Sequence, residues 1–290
     1  MNDMFDLNFT VPAPKPTSAA DYDVSGALEF IASAGSLMDV APGQTIFVEY
    51  EKSNPLLLQR DKMYFLLEGE VDLTVNKKLV GVARHGEVLG EMALITGMPR
   101  TATATAVKPC KLLALTRDEL LKALHAAPEF GLFLMNLMIT RLRNTIKLLS
   151  ARGALSKAEG SKDSAIFDKT LLEKLEMQLD SSALLRYPAG TIIVQEGQSG
   201  VLMYVVLKGS VVISIRNNVV GEISAGGMFG EMALIAPDER VASANARTDC
   251  VLLAINRNVF LNLVRDNPKF AVSLLSAVGN RARYIASLLA

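Results

Sequence analysis

Short runs of alternating apolar and polar residues recur along the chain: Thr45–Val48, Tyr64–Leu67 and Val71–Val75, then Thr191–Val194, Tyr204–Leu207 and Val211–Ile215. Period-two alternation in short, β-branched runs predicts strands with one face on a core. Gly69, Gly81 and Gly86, and later Gly209, Gly221 and Gly226, punctuate these runs at roughly ten-residue spacing, as in a small antiparallel barrel or jelly roll. Each set follows a helical stretch (Gly26–Ala34; Lys169–Leu179) and a turn (Pro42-Gly43; Pro188-Ala189-Gly190). Each leads into a last strand, Lys111–Leu115 or Val251–Ile255, and a helical tail running to Leu149 or Leu289. The expected fold is mainly β with α: two tandem jelly-roll β-barrels, each flanked by helices.

The two sets are copies of one another. At a shift of 140 residues Met63-Tyr64 falls on Met203-Tyr204, Gly69 on Gly209, Cys110 on Cys250 and Pro128 on Pro268, and 31 of the 87 positions from Met63 to Leu149 are identical without a gap. Upstream, Pro42 and Ile46 match Pro188 and Ile192 at a shift of 146, implying six extra residues in the first copy between 49 and 62. The expected organisation is an arm at 1–24, a first domain at 25–150, a linker at 151–165 and a second domain at 166–290. Ala151–Ser164, rich in Ser, Lys, Gly and Ala, supplies the linker. The arm holds Met4-Phe5-Asp6-Leu7-Asn8-Phe9, which reads either as a docking element or as an inert tail. In the helical tails, Met135, Met138, Leu142, Thr145 and Leu149, and Leu275, Val278, Ala282, Ile285 and Leu289, follow heptad spacing. Such seams pair with each other, join two chains in a homodimer, or pack on their own barrels.

Composition removes several alternatives. Half of the 290 residues are hydrophobic and 21% are charged, which excludes global disorder. Thirty basic residues balance thirty acidic ones, so no positive excess exists to drive nucleic-acid binding. Apolar runs fall short of the roughly 18 residues of a membrane span. Met1–Pro16 carries Asp3 and Asp6 and no basic segment, unlike a signal peptide, so the expected location is cytoplasmic. Two cysteines give neither a disulfide framework nor zinc spacing.

Candidate chemistry concentrates in Val88–Thr103 and its twin Met228–Ser243. Gly90-Glu91-Met92-Ala93-Leu94-Ile95 recurs as Gly230-Glu231-Met232-Ala233-Leu234-Ile235, a turn into a short helix whose first backbone N–H groups suit an anion. Ten residues after each Gly stands Arg100 or Arg240, a planar fork able to grip two phosphate oxygens. Glu91 and Glu231 offer acceptor oxygens to a sugar hydroxyl. The competing readings are a structural salt bridge for each Arg, a helix cap for each Glu, and core filling for the side chains of Met92 and Met232. No catalytic triad, metal motif or Walker loop is present, so a binder rather than an enzyme is expected, with no cofactor and no metal.

Gly90–Leu94 through Pro99-Arg100-Thr101-Ala102-Thr103 resembles the phosphate-binding cassette of cyclic-nucleotide-binding domains, and Phe229–Leu234 through Glu239–Ser243 resembles the bacterial version, as in the catabolite activator protein. The resemblance implies cyclic AMP, or cyclic GMP, as ligand. It implies that Glu91 and Glu231 accept the ribose 2′-hydroxyl and that Arg100 and Arg240 pair with the phosphate. The backbone of Gly90, Glu91, Met92 and Ala93, or of Gly230, Glu231, Met232 and Ala233, completes the cradle with Thr101 or Val241. Ser287 falls where the family's tail helix gives a hydroxyl to the base. Copy one departs in having Leu89 where an aromatic is usual. Copy two departs in Pro237-Asp238-Glu239, which brings acids toward the phosphate, and in Val241, which removes a hydroxyl.

The tandem layout is similar to that of the protein kinase A regulatory subunit, although no Arg-Arg-x-Ser/Ala-like inhibitor segment is found in the arm. The chain reaches Ala290 where transcription factors of this family begin a helix-turn-helix. The resulting expectation is a receptor that signals to an unidentified effector protein through rearranged tail helices, with no nucleic-acid or membrane partner. The alternative is an assembly scaffold with vestigial or permanently filled sites.

Overall fold

The computed structural model describes residues 32, 35–51, 62–151, 161–163, 166–167, 169–178, 181–235 and 239–287. The expected arm, and all but one residue of the expected helix at 26–34, lie outside them. In copy one, β1 (Ser36–Val40), β2 (Thr45–Phe47), β3 (Lys62–Glu68), β4 (Glu70–Val75), β5 (Lys78–Arg84), β6 (Val88–Leu89), β7 (Thr103–Ala106) and β8 (Cys110–Thr116) form two antiparallel sheets, ordered β1-β8-β3-β6 and β2-β7-β4-β5. Alternation does what it should: Val71, Leu73 and Val75 of β4 are buried, and Val71 and Leu73 pack with Phe47, Tyr64, Leu66, Ala104 and Leu112. This two-sheet layout is the jelly roll read from the alternation.

Copy two repeats it. After β9 (Ser161–Asp163) come β10 (Leu184–Tyr187), β11 (Ile192–Val194), β12 (Met203–Lys208), β13 (Ser210–Ile215), β14 (Asn218–Ser224), β15 (Met228–Phe229), β16 (Ser243–Ala246) and β17 (Cys250–Ile255). The sheets are ordered β10-β17-β12-β15 and β11-β16-β13-β14-β9. Strand β9 pairs in parallel with β14 from Gly221↔Ser161 to Ile223↔Asp163, so a stretch read as linker from composition contributes an edge strand.

Backbone hydrogen bonds correct the upstream register. Gly43 N–H donates to Ala106 O, and Gly190 N–H to Ala246 O, both at 2.7 Å. Tyr50 N–H donates to Arg100 O at 3.0 Å, and Gly197 N–H to Arg240 O at 2.9 Å. Equivalent residues therefore lie 147 apart, not 146, and copy one carries seven extra residues rather than six. The turn glycine sets the match: Gly43 and Gly190 share left-handed φ values of 79° and 83°. Copy two spends one more residue, Ala189, between proline and glycine, so aligning the prolines misplaces the strand that follows. Phe47 thus corresponds to Val194, as their pairings with Ala104 and Ala244 also require.

Six α-helices are described: α1 (Glu91–Thr96), α2 (Arg117–Ala126), α3 (Glu129–Ala151), α4 (Lys169–Gln178), α5 (Arg257–Asp266) and α6 (Pro268–Ser287). Each tail is two helices, broken at Pro128 or Pro268, because proline lacks the N–H and its ring clashes with the preceding turn. Thr116 and Glu119 close a capping box on α2. Among the described residues no single helix is long and apolar enough to cross a membrane.

The chain divides into two compact units, Met1–Thr145 with Val264–Ala290, and Ile146–Leu263. Helix α6 belongs to the first. There it packs against α1 and α2, and Gly279 permits close approach. A Cβ on Gly131 of α3 would meet Ala271 Cβ at 3.8 Å and Val264 Cγ1 at 3.6 Å. A Cβ on Gly279 of α6 would meet Thr96 Cγ2 at 2.9 Å, Met92 Cε at 3.3 Å and Met138 Cε at 3.6 Å. Of the expected seams, Met135, Met138, Leu142, Leu275 and Val278 are buried, and the side chains of Thr145, Leu149, Ile285 and Leu289 lie outside the described residues. Residues 131 and 271 hold the same position in the two copies, as do 125 and 265, where His125 Nδ1 meets Arg265 O at 2.7 Å. Within this unit equivalent positions of the tails thus face one another.

Candidate functional site

The cassette begins where β6 ends. Gly90 sits at φ 72° and Gly230 at φ 77°, left-handed values that turn the strand into the next segment without Cβ strain. That segment is the α-helix Glu91–Thr96 in copy one and the 3-10 helix Glu231–Leu234 in copy two. Glycine is needed for space as well, since a Cβ on Gly90 would run into Arg100 Nη1. A Cβ on Gly230 would meet Arg240 Nη1 at 2.9 Å.

Each arginine reaches back across the cassette. Arg100 Nη1 donates to Gly90 O and Nη2 to Lys62 O, both at 2.8 Å. Arg240 Nη1 donates to Gly230 O at 3.0 Å and Nη2 to Leu202 O at 2.8 Å. Lys62 and Leu202 are equivalent positions, so the two forks are clamped alike. Glu91, Arg100 and Glu231 are 2%, 6% and 4% exposed and, with Glu87, make up the buried polar and charged residues among those described. Burial of a charge is costly unless it is paired and hydrogen-bonded, which marks these as retained for a reason. Burial lowers the Arg240 pKa, while Tyr204 and Glu231 act in the opposite sense; the group stays charged in either case.

An open cleft lies above cassette one, lined on the cassette side by Gly90–Ala93 and Arg100–Ala102 and on the barrel side by Phe47, Leu73, Val88 and Leu89. Gly90, Glu91, Met92, Ala93, Arg100 and Thr101, singled out from sequence, therefore line one cleft together. In copy two Glu231 and Arg240 share an electrostatic environment, with Met232, Ala233 and Val241 half-buried beside them. Pro237 and Asp238, and the side chain of Ser287, lie outside the described residues; Glu239 is exposed.

Sequence reasoning missed Phe47, because the misplaced register matched it to Ile193. The aromatic absent at Leu89 is supplied by this residue: Phe47 stacks on Tyr64 at 6.0 Å, whereas in copy two Phe229 stacks on Tyr204 at 5.1 Å. The corrected offset also exposes a second repeated pair, Glu49 and Glu196. Their carboxylates accept from Asn76 N and Arg216 N at 2.8 Å, and their own N–H groups donate to Thr103 Oγ1 and Ser243 Oγ. Cys110 and Cys250 are buried thiols donating to backbone carbonyls, and burial raises the Cys250 pKa. His85 is exposed with its ring against Leu67 O. No cluster of potential metal ligands occurs among the described residues.

A family model described as the cyclic nucleotide-binding domain matches residues 39–127 and again 184–267, more than half of the chain. The chain belongs to that family, in tandem. A cGMP-dependent protein kinase of Eimeria tenella is 26% identical over 218 residues, which are 73% of this chain and 19% of the kinase. A cAMP-dependent protein kinase regulatory subunit of Eremothecium gossypii is 27% identical over 205 residues, 70% of this chain and 40% of that one. The chain thus spans well under half the length of either relative. The solved regulatory domain of Toxoplasma gondii PKA with cAMP is 23% identical, covers 83% of this chain and 86% of its own, and has a TM-score of 0.31.

Proposed function

We propose that this chain is a cyclic-nucleotide receptor that passes the presence of ligand to a protein partner through its tail helices. In this reading the Arg100 and Arg240 guanidiniums neutralise the cyclic phosphate, and the N–H groups of the Gly90–Ala93 and Gly230–Ala233 backbones surround it. Glu91 and Glu231 accept the ribose 2′-hydroxyl. One observation carries the reading: a buried Glu beside a left-handed Gly whose carbonyl is bonded by an Arg ten residues on recurs with the same bonds in copies that differ at most other positions. The named relatives are described as cGMP-dependent or cAMP-dependent, and both nucleotides are candidate ligands. Thr101, with a hydroxyl, and Val241, without one, give the two sites different means of reading them.

Output follows from packing. Helix α1 carries Met92 and Thr96, against which Gly279 of α6 is seated. A ligand that draws the Gly90–Ala93 backbone toward its phosphate displaces α1, and α6 must follow or lose contact. The ligand shifts this equilibrium only by its difference in affinity for the two arrangements.

Calorimetric titration of nucleotide-stripped protein with each cyclic nucleotide tests the reading. Two equivalents bound at micromolar affinity or tighter are expected. Arg100→Ala removes the phosphate's main partner at site one, costing about 2–5 kcal/mol, or roughly 30- to several-thousand-fold in affinity. Unchanged binding by that variant overturns the assignment. The scaffold reading draws on the same clamp, since an arginine bonded to two carbonyls is also a structural tie; absence of heat with either nucleotide selects it.

A further inference from the structure

The two arginines share backbone partners but differ in what lies beside the guanidinium plane. Arg100 Cζ stands 4.5 Å from the centroid of the Phe47 ring, within cation–π range, and that ring stacks on Tyr64. Copy two has Val194 at the position of Phe47. Phe229 restores the missing aromatic to copy two, but from β15 and onto Tyr204. Both barrels therefore hold an aromatic pair around the equivalent tyrosine. In copy one the pair is Phe47–Tyr64 with Leu89, and in copy two Tyr204–Phe229 with Val194. The exchange changes side-chain volume by only a methylene, so packing alone leaves the placement of an aromatic under Arg100 unexplained.

We propose that Phe47 is a positioning residue for Arg100: its ring fixes the guanidinium plane under the cleft and makes site one the tighter of the two sites for a phosphate-bearing ligand. The inference rests on the receptor reading above and adds to it a physical basis for unequal sites. A guanidinium held at two carbonyls and one ring is already ordered, so little side-chain freedom is lost when an anion arrives. The ring's negative face opposes the positive group.

Phe47→Val with Leu89→Phe transplants the copy-two arrangement into copy one while keeping the aromatic volume, and Arg240→Ala leaves site one to report. Affinity of site one for cyclic AMP is expected to fall about three- to thirtyfold, the range for a partly desolvated cation–π contact. Adenosine, which lacks the phosphate, should bind equally to parent and variant. Phe47→Tyr should retain the parental affinity. The loss should vanish when Arg100 is already Ala, since the two residues act as one unit. Additive losses, or equal losses for adenosine, would mean that Phe47 touches the ligand instead, and overturn the proposal. A second measurement needs no nucleotide. In the unliganded chain the Arg100 side-chain Nε–H resonance should carry a ring-current shift that is lost in Phe47→Val. A parental shift in that variant overturns the positioning role even where nucleotide binding is intact, and its loss in a protein that binds no nucleotide isolates the failure to the receptor reading.

Discussion

Tyr50 holds a φ of 65°, and its counterpart in copy two is Gly197 at 81°. A bulky residue in the left-handed region costs roughly 1–2 kcal/mol, and Tyr50 is 67% exposed, so its ring recovers little by burial. Tyr50→Gly, after the entropy a glycine adds to the unfolded chain, should stabilise the protein by a few tenths to about 1 kcal/mol, read as a raised denaturant midpoint. A lowered midpoint would show that the ring is held by contacts worth more than the strain. Glu70 differs between the copies too. Its carboxylate meets Lys108 Nζ at 2.6 Å, and Lys108, then Arg84, holds its pKa below the usual glutamate value. A depressed folded pKa means stability present above the unfolded pKa and lost as pH falls through the folded one. Copy two carries Ser210 and Thr248 there, joined by a neutral hydrogen bond of 3.0 Å. Lys108→Ala should therefore move the Glu70 titration upward in a carbon NMR experiment; no movement would remove Lys108 as the cause. At this scale the cassette was legible because its chemistry sits in an ungapped run, Gly90 to Arg100 against Gly230 to Arg240. Phe47 was not, because its meaning depends on which residue it faces across the barrel.

Elements were legible where alternation is strict and obscure where one residue decides a register. Strands β3, β4, β8 and their twins fall within a residue or two of the runs read from sequence. Strand β2 was placed against the wrong partner because two prolines align more readily than two glycines, yet it is the glycine's left-handed φ that fixes a turn. The helical tails illustrate another limit: heptad spacing says that a face is apolar and leaves open what covers it. The covering of α1 by α6 follows from Gly279, whose twin is the bulky Ile139. Gly279→Ala places a methyl 2.9 Å from Thr96 Cγ2, so the gain of about 1 kcal/mol expected for alanine over glycine in a helix should be withheld. Adding Thr96→Ser removes the opposing methyl and should release it. If Gly279→Ala alone stabilises by the full amount in urea unfolding, the contact is looser than described.

For the molecule as a whole the duplication was the most legible feature, since many identities accumulate at one offset and a chance match does not persist over 87 positions. Its compact units were less so: Val264–Ala290, which sequence order assigns to the second copy, clusters with the first. Long-range packing of this kind leaves no local signature. Ser276→Pro, which interrupts α6 at a half-buried position and costs about 3 kcal/mol in helix alone, should accelerate amide exchange at Glu91–Thr96, a segment far away in sequence. Exchange confined to α6 and its chain neighbours would separate the helix from the cassette.

The seating of α6 on Met92 and Thr96 also orders events in time. During synthesis the first barrel emerges complete in its strands, and its local contacts form quickly. The outer face of its cassette helix stays bare until the second barrel has been made and α6 follows it. Contacts spanning well over half the chain are slow to form, because a long loop must close before they repay its entropy. Final packing of the cassette helix is thus expected to come late in the life of a nascent chain, and a ribosome stalled before Pro268 would carry a folded barrel whose cassette helix is still uncovered.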